Sequence, residues 1–243
     1  MTWSSLRARR SRPTPCRSGS PLPAAQPGQY VSVGVRLPDG ARQVRQYSLV
    51  RFGEDEWTIT VKAVAARTSE DGTEIPEGEV SSFLHRNVFE GDTLQVSPPF
   101  GDLILDDSEA PLVLVSAGIG TTPIVGMLHH LKHSGSTRAV TVLHADRSPS
   151  HHALRRDLKE LVGTIDGATL VRWYEDLGTR HPRADLAAGL IDLAAVDVPV
   201  GARAYLCGPL PFMESVHAGL VAKGVASDAI HYEVFGPDKW LAG

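Results

Sequence analysis

The stretch PLVLVSAGIGTTPIVGM, residues 111–127, decides how the rest of the chain is read. Residues 111–117 are a short apolar run suited to a strand buried on both faces, and Ile124, Met127, Leu128 and Leu131 then recur at helical spacing. Between the two runs lie Gly118, Ile119, Gly120, Thr121, Thr122 and Pro123. Glycines at such a turn let backbone approach a pyrophosphate, and N–H groups at the helix start point at the anion. Pro123, in the first turn, removes no needed donor. Glycine-rich turns also join strands to helices without binding anything, and this one has proline at the third position of the dinucleotide fingerprint.

The same grammar repeats downstream. AVTVLHA leads to a helix carrying Leu154, Leu158 and Leu161; ATLVRWYE precedes a helix around LAAGLIDLAAV; RAYLCG precedes PFMESVHAGLVAKG; HYEVFG follows. Strand and helix in alternation predict a five-stranded parallel α/β domain over residues 108–243, with helices on both faces. CGPLPFM ends the fourth strand, where open α/β sheets place their ligands. Cys207, Gly208 and Pro209 are therefore pocket candidates, although an isolated Cys207 also suits a small core position. At the end of the second strand stands HADRS: Asp146 suits the ribose 2′-hydroxyl of NAD, whereas Arg147, with Arg155 and Arg156 close behind, suits the 2′-phosphate of NADP.

Upstream of DDSEAP, residues 106–111, the period becomes two. Val31, Val33 and Val35 alternate, PDG marks a turn, Trp57, Ile59 and Val61 alternate, and DTLQVSPPFGDLIL supplies two more short strands. This predicts a small antiparallel β-barrel over residues 27–107. Within it RQYS offers a guanidinium able to grip phosphate (Arg45), Gln46, an aromatic face able to stack on a planar ring (Tyr47) and a hydroxyl (Ser48). On its own the stretch also reads as a solvated edge strand. Some 30 residues further on, Gly78, Glu79, Val80, Ser81 and Ser82 open a short helical pattern, another place where N–H groups can meet an anion.

Bulk properties bound the rest. The 243 residues, 42% of them hydrophobic, suffice for two compact domains, and a net charge of −4 gives no general attraction to nucleic acid or an anionic membrane surface. Two distant cysteines, Cys16 and Cys207, build no disulfide framework, zinc cluster or iron–sulfur site. The chain thus reads as a soluble, cytoplasmic protein without a metal of its own. His129 and His133 share a helix face but lack the glutamate of the H-E-x-x-H motif, and His151 and His152 are either nucleotide-facing or exposed. Residues 1–26 carry Arg7, Arg9, Arg10, Arg12 and Arg17, no acid, and neither periodicity; they read as a disordered or atypical tail.

The motifs in order, R-x-Y-S, G-x-V-S, G-x-G-x-x-P, C-G-P-x-x-x-M and YEVFGP, resemble the ferredoxin-NADP reductase-like flavoproteins, and over residues 27–241 the wording is most similar to the reductase portion of flavohaemoglobins. The resemblance implies an FAD-binding barrel followed by an NAD(P)-binding domain. It implies that Arg45 holds the FAD pyrophosphate together with the Gly78–Ser82 turn, Tyr47 stacks on the isoalloxazine and Ser48 sits near its N5. Gly118, Gly120, Thr121 and Pro123 would cradle the nicotinamide nucleotide, with NADH favoured over NADPH, and Cys207, Gly208 and Pro209 would border its ring. Glu233 and Phe235 match the segment that lies against the flavin. Tyr47, Ser48, Cys207, Glu233 and Phe235 are thus the candidate catalytic residues. The implied activity passes hydride from nicotinamide to flavin and single electrons to a haem globin or another acceptor protein, by a monomeric unit, as in nitric oxide dioxygenases. Two departures stand out: no globin precedes this unit, and the family's first barrel strand has no counterpart before PGQY. The second keeps a non-catalytic nucleotide-binding homologue in view; the reductase of an oxygenase or ferredoxin system is the other alternative.

Overall fold

A computed structural model describes residues 3–9, 22–69 and 71–234. Its first unit is an antiparallel sheet of β1 (Trp3–Arg9), β2 (Tyr30–Arg36), β3 (Arg42–Phe52), β4 (Glu56–Lys62) and, past a small β5/β6 pair (Arg67–Thr68 and Glu74–Ile75) and helix α1 (Glu79–Asn87), β7 (Gln95–Val96). The order across the sheet is β1-β4-β3-β2-β7. Alternation in β2 buries Val31, Val33 and Val35, which pack with Leu49, Trp57, Ile59 and Val61 beneath Val80 and Leu84 of α1.

The structure corrects the sequence reading at the N-terminus. Residues 3–9 are not a structureless tail but a strand paired along its whole length with β4, from Trp3 opposite Lys62 to Arg9 opposite Glu56. An edge strand needs only one partner and one apolar face, so a run as basic as WSSLRAR still pairs through its backbone, with Leu6 packed on the core. The motif DTLQVSPPFGDLIL also differs from expectation: β7 is followed by a single bridge, Tyr30 to Phe100, and Leu103 and Leu105 are buried without forming a strand.

The second unit is a parallel sheet of β8 (Leu112–Ala117), β9 (Val140–Asp146), β10 (Ala168–Tyr174), β11 (Leu186–Ala188), β12 (Arg203–Cys207) and β13 (Ile230–Glu233). Helices α2 (Thr121–Ser134) and α3 (Arg155–Val162) cover one face; α4 (Leu210–Ala222) covers the other. The sheet has six strands where five were expected, because LAAGLIDLAAV is not a helix. Its start is β11, Gly189 turns the chain at φ +91°, and Asp192 caps a 3-10 turn by accepting the Ala194 N–H at 2.9 Å. A mostly apolar run interrupted only at Gly189 and Asp192 carries too little periodicity to distinguish the two outcomes.

The strand order β11-β10-β9-β8-β12-β13 reverses direction between β8 and β12. At such a switch point the connections leave the sheet on opposite sides and open a crevice at the strands' carboxyl ends. The antiparallel unit closes over it. Val50 of β3, with Leu103 and Leu105, joins the core beneath α2, and Gly126 of α2 lies so close to β3 that a Cβ would stand 2.4 Å from the Leu49 carbonyl oxygen. At the opposite end of the sheet, buried Arg138 donates from Nε to Ala110 O (2.7 Å) and from Nη1 to Asp106 O (2.9 Å). Asp106 also pairs with Arg203, and its backbone N–H donates to the Tyr205 hydroxyl at 3.0 Å. Among the described residues no helix is long and apolar enough to cross a membrane.

Candidate functional site

A cavity of about 540 Å3 lies in the crevice, walled by both units. β3 contributes Arg45, Gln46, Tyr47 and Ser48; the entry to α1 contributes Gly78, Glu79, Val80 and Ser81. Facing them are Gly118, Ile119, Gly120 and Thr122 from the β8–α2 turn, and Cys207, Gly208 and Pro209 from the end of β12. Four of the five motifs singled out in the sequence therefore converge on one space.

The walls are ordered by local bonds. Arg45 is exposed and donates to Val44 O and to Gln43 Oε1, each at 2.8 Å; Gln43 in turn bonds Glu79, linking β3 to the start of α1. The Ser81 hydroxyl donates to Gly78 O at 3.0 Å and accepts the Val64 N–H at 3.3 Å. No side chain caps α1, so its first N–H groups, which have no intrahelical acceptor, are left at the cavity wall. Burial pushes the Tyr47 phenol up to about 12, against the pull of Arg45, and keeps it neutral. Across the cavity Gly120 is in contact with the other turn: a Cβ there would stand 2.2 Å from Cys207 O and 2.9 Å from Gly208 N. Burial, then Glu233, pushes the Cys207 thiol far up, so it is a neutral apolar wall and not a thiolate.

Several sequence candidates stand elsewhere. Ser82, Thr121 and Pro123 are buried behind the wall, and the Thr121 hydroxyl has no hydrogen-bond partner. Glu233 pairs with Cys207 across β13 and β12, beside Gly101 of the antiparallel unit, whose added Cβ would lie 3.0 Å from Glu233 Oε1. Asp146 ends β9, one strand beyond β8, and Arg147 follows it. Phe235 lies outside the described residues. His152 is neither exposed nor nucleotide-facing: it is buried, stacked on His144 with centroids 3.6 Å apart, and 2.7 Å from the Tyr174 hydroxyl. The sequence reading missed Thr60, Lys62 and Val64, which also line the cavity. Their spacing of two along and beyond β4 is the signal that places them on one face.

Glu233 carries a pH consequence. Burial, then the nearby Asp102, raises its carboxyl from 4.5 to about 7, while a backbone bond from Asp102 opposes the shift. A raised acid binds its proton more tightly folded than unfolded, so its contribution is complete below pH 4.5 and is lost as pH rises to about 7. Glu233→Gln, which keeps a neutral group, is expected to gain melting temperature over the wild type across that window and to hold the gain above it. Melting curves of both proteins from pH 4.5 to 8 read this directly; parallel curves would contradict it.

The profile described as the oxidoreductase NAD-binding domain matches residues 114–218. The chain is 40% identical over 235 residues to a flavohemoprotein of Deinococcus radiodurans, covering 92% of this chain and 55% of that protein. Among solved structures, it is similar to the flavohem-like FAD/NAD-binding domain of a nitric oxide dioxygenase from Vibrio cholerae, with 35% identity, a TM-score of 0.81, and coverage of 97% of this chain and 93% of that one. A flavohemoglobin of Malassezia yamatoensis with bound FAD and heme shows 29% identity and a TM-score of 0.75, with 97% and 61% covered. The chain spans about half the length of the curated relatives it matches.

Proposed function

Because this chain belongs to the ferredoxin-NADP reductase-like flavoproteins, among the FAD- and NAD-binding reductase units related to flavohaemoglobins, we propose that it draws electrons from a reduced nicotinamide nucleotide at the domain seam and delivers them to a haem globin. The observation that carries this reading is one cavity in which R-Q-Y-S of β3 faces both the G-I-G turn with Thr122 and C-G-P.

The residues fit the two nucleotides. The exposed Arg45 guanidinium and the free N–H groups of α1 suit the FAD pyrophosphate, and Tyr47 offers a neutral aromatic face with the Ser48 hydroxyl beside it. The Gly118–Gly120 turn, without side chains between it and Cys207, suits the second nucleotide. When bound, FAD and the nicotinamide supply the hydride and one-electron chemistry; the protein supplies their positions and a dry interface. Cys207 and Pro209 form an apolar wall that keeps water from the junction, and Glu233 holds a proton beside it near neutral pH. With a globin as acceptor, the overall reaction would be nitric oxide dioxygenation, in which nitric oxide, oxygen and reduced nucleotide give nitrate. The non-catalytic reading rested on a missing first strand, and β1 fills that place.

Purified protein is expected to be yellow, to bleach on rapid mixing with reduced nucleotide, and then to reduce a ferric globin under carbon monoxide. Bleaching without transfer to any globin would remove the haem acceptor; a colourless protein that ignores added FAD would remove the flavin reading. Arg45→Ala is expected to weaken FAD retention about tenfold or more, since a charge-assisted bond to phosphate is lost, while the fold persists. Unchanged flavin content after dialysis would detach Arg45 from this role.

A further inference from the structure

The carboxyl end of β9 is where a sheet of this kind meets the adenosine ribose: an acid presented there reads the 2′-hydroxyl, and a guanidinium accepts a 2′-phosphate. Asp146 occupies the position but does not present its carboxylate. Its side chain is 6% exposed, Oδ1 accepts the Arg147 backbone N–H at 2.8 Å, and Oδ2 is turned inward, shielded from solvent, 3.8 Å from His144 Nε2.

The group it faces is fixed in place. His144 is fully buried, its Nδ1 lies 2.9 Å from the Ser116 hydroxyl, and its ring is stacked on His152, itself held by Tyr174. Burial lowers both imidazoles and keeps them neutral. In the tautomer in which the Ser116 hydroxyl donates to Nδ1, the ring proton sits on Nε2, on the side of Asp146 Oδ2 and beyond hydrogen-bond reach at 3.8 Å. Turning Asp146 outward would remove the group that Nε2 faces.

Three arginines and two acids, Glu175 and Asp176, are exposed at this strand end. Arg147, Arg155 at the start of α3 and Arg180 in the loop after β10 are exposed, and none has a side-chain hydrogen bond or ion pair with another described residue. Burial raises the Tyr174 phenol against the pull of Arg172, Arg155 and Arg180, and burial lowers the Lys62 amine of the cavity wall, with Asp146 opposing the shift and Arg147 adding to it. Glu175, Asp176 and Asp185 are the acids of the same loop, and Asp185 is taken by Arg172 and Arg183. Asp176 is engaged by the Gly178 N–H at 2.7 Å, and the backbone N–H groups of Glu175 and Asp176 pin the loop to Asp146 O and Arg147 O.

We infer that this strand end is a 2′-phosphate site formed by Arg147, Arg155 and Arg180, so that the chain takes NADPH in preference to NADH, the reverse of what the family resemblance favours. The inference rests on the proposed nucleotide site and deepens it. Two parallel guanidinium bonds suit a phosphate dianion, and a withdrawn Asp146 removes its own share of the repulsion that acids at this strand end impose.

The test separates this from the reductase reading by measuring binding without turnover. The full chain is titrated by calorimetry with adenosine 2′,5′-bisphosphate and with AMP at fixed salt, and flavin bleaching by NADPH and NADH is compared. The bisphosphate is expected to bind about tenfold or more tightly, with a matching preference in bleaching. Arg147→Ala should narrow the discrimination, and the Arg147→Ala, Arg155→Ala, Arg180→Ala triple variant should bring it near unity. Equal or tighter binding of AMP, or full discrimination surviving in the triple variant, overturns the 2′-phosphate site alone. Failure of both ligands to bind overturns it together with the nucleotide site.

Discussion

Replacing Gly120 by alanine is expected to reduce nucleotide-driven flavin bleaching by about 100-fold or more, because displacing a bound reactant by roughly 1 Å costs that much. The added methyl would stand 2.2 Å from Cys207 O and 2.9 Å from Gly208 N, and both are backbone atoms that cannot swing aside. The β8–α2 turn and the β12 turn are the two lips of the switch point, so the substitution must part them. Flavin content should survive, since Arg45, Tyr47 and Ser48 belong to the opposite wall. Stopped-flow mixing of the yellow variant with NADPH and NADH reads the rate. An unchanged rate with both nucleotides would mean that the glycine turn is not where they bind.

Gly126→Ala is expected to lower stability by about 1–3 kcal/mol, the usual cost of overpacking. The sign makes it diagnostic, because alanine in a helix interior normally stabilises relative to glycine by roughly 0.5–1 kcal/mol. Here the methyl would press on Leu49 O at 2.4 Å, with the Phe52 ring next to it at 3.8 Å. For a chain of this length the loss corresponds to a melting temperature lower by roughly 2–10 °C. Leu49 follows Tyr47 and Ser48 directly, so pushing β3 away from α2 should also loosen flavin. Calorimetry and flavin release on dilution measure the two effects. A stabilised variant would show that the seam packs less tightly than this contact requires.

How much of this was legible in the sequence follows from what each pattern encodes. The glycine turn after β8 and R-Q-Y-S on β3 were visible because their side chains are unusual for their elements, and both line the cavity. β1 was hidden because backbone pairing leaves no signature when one face is charged. The apolar run at residues 186–196 was ambiguous because neither period is expressed in it, and tertiary pairing with β10 decided it. Asp146 was identified by position, but its direction depends on His144, His152 and Tyr174, which meet only in the folded sheet. Lys62 sits in the other unit: its spacing of two from Thr60 and Val64 places it on one face of β4, but that this face meets the cavity is decided only by the tertiary fold.

The polar knot of Asp106 with Arg138, Arg203 and Tyr205 divides the labour of the fold. It ties the connector between the units to the amino ends of the strands, while the cavity opens at their carboxyl ends. The bonds that anchor the connector are therefore spatially separate from the residues that line the cavity, so a substitution at Arg138 is expected to tell on melting temperature while leaving the lining of the cavity in place.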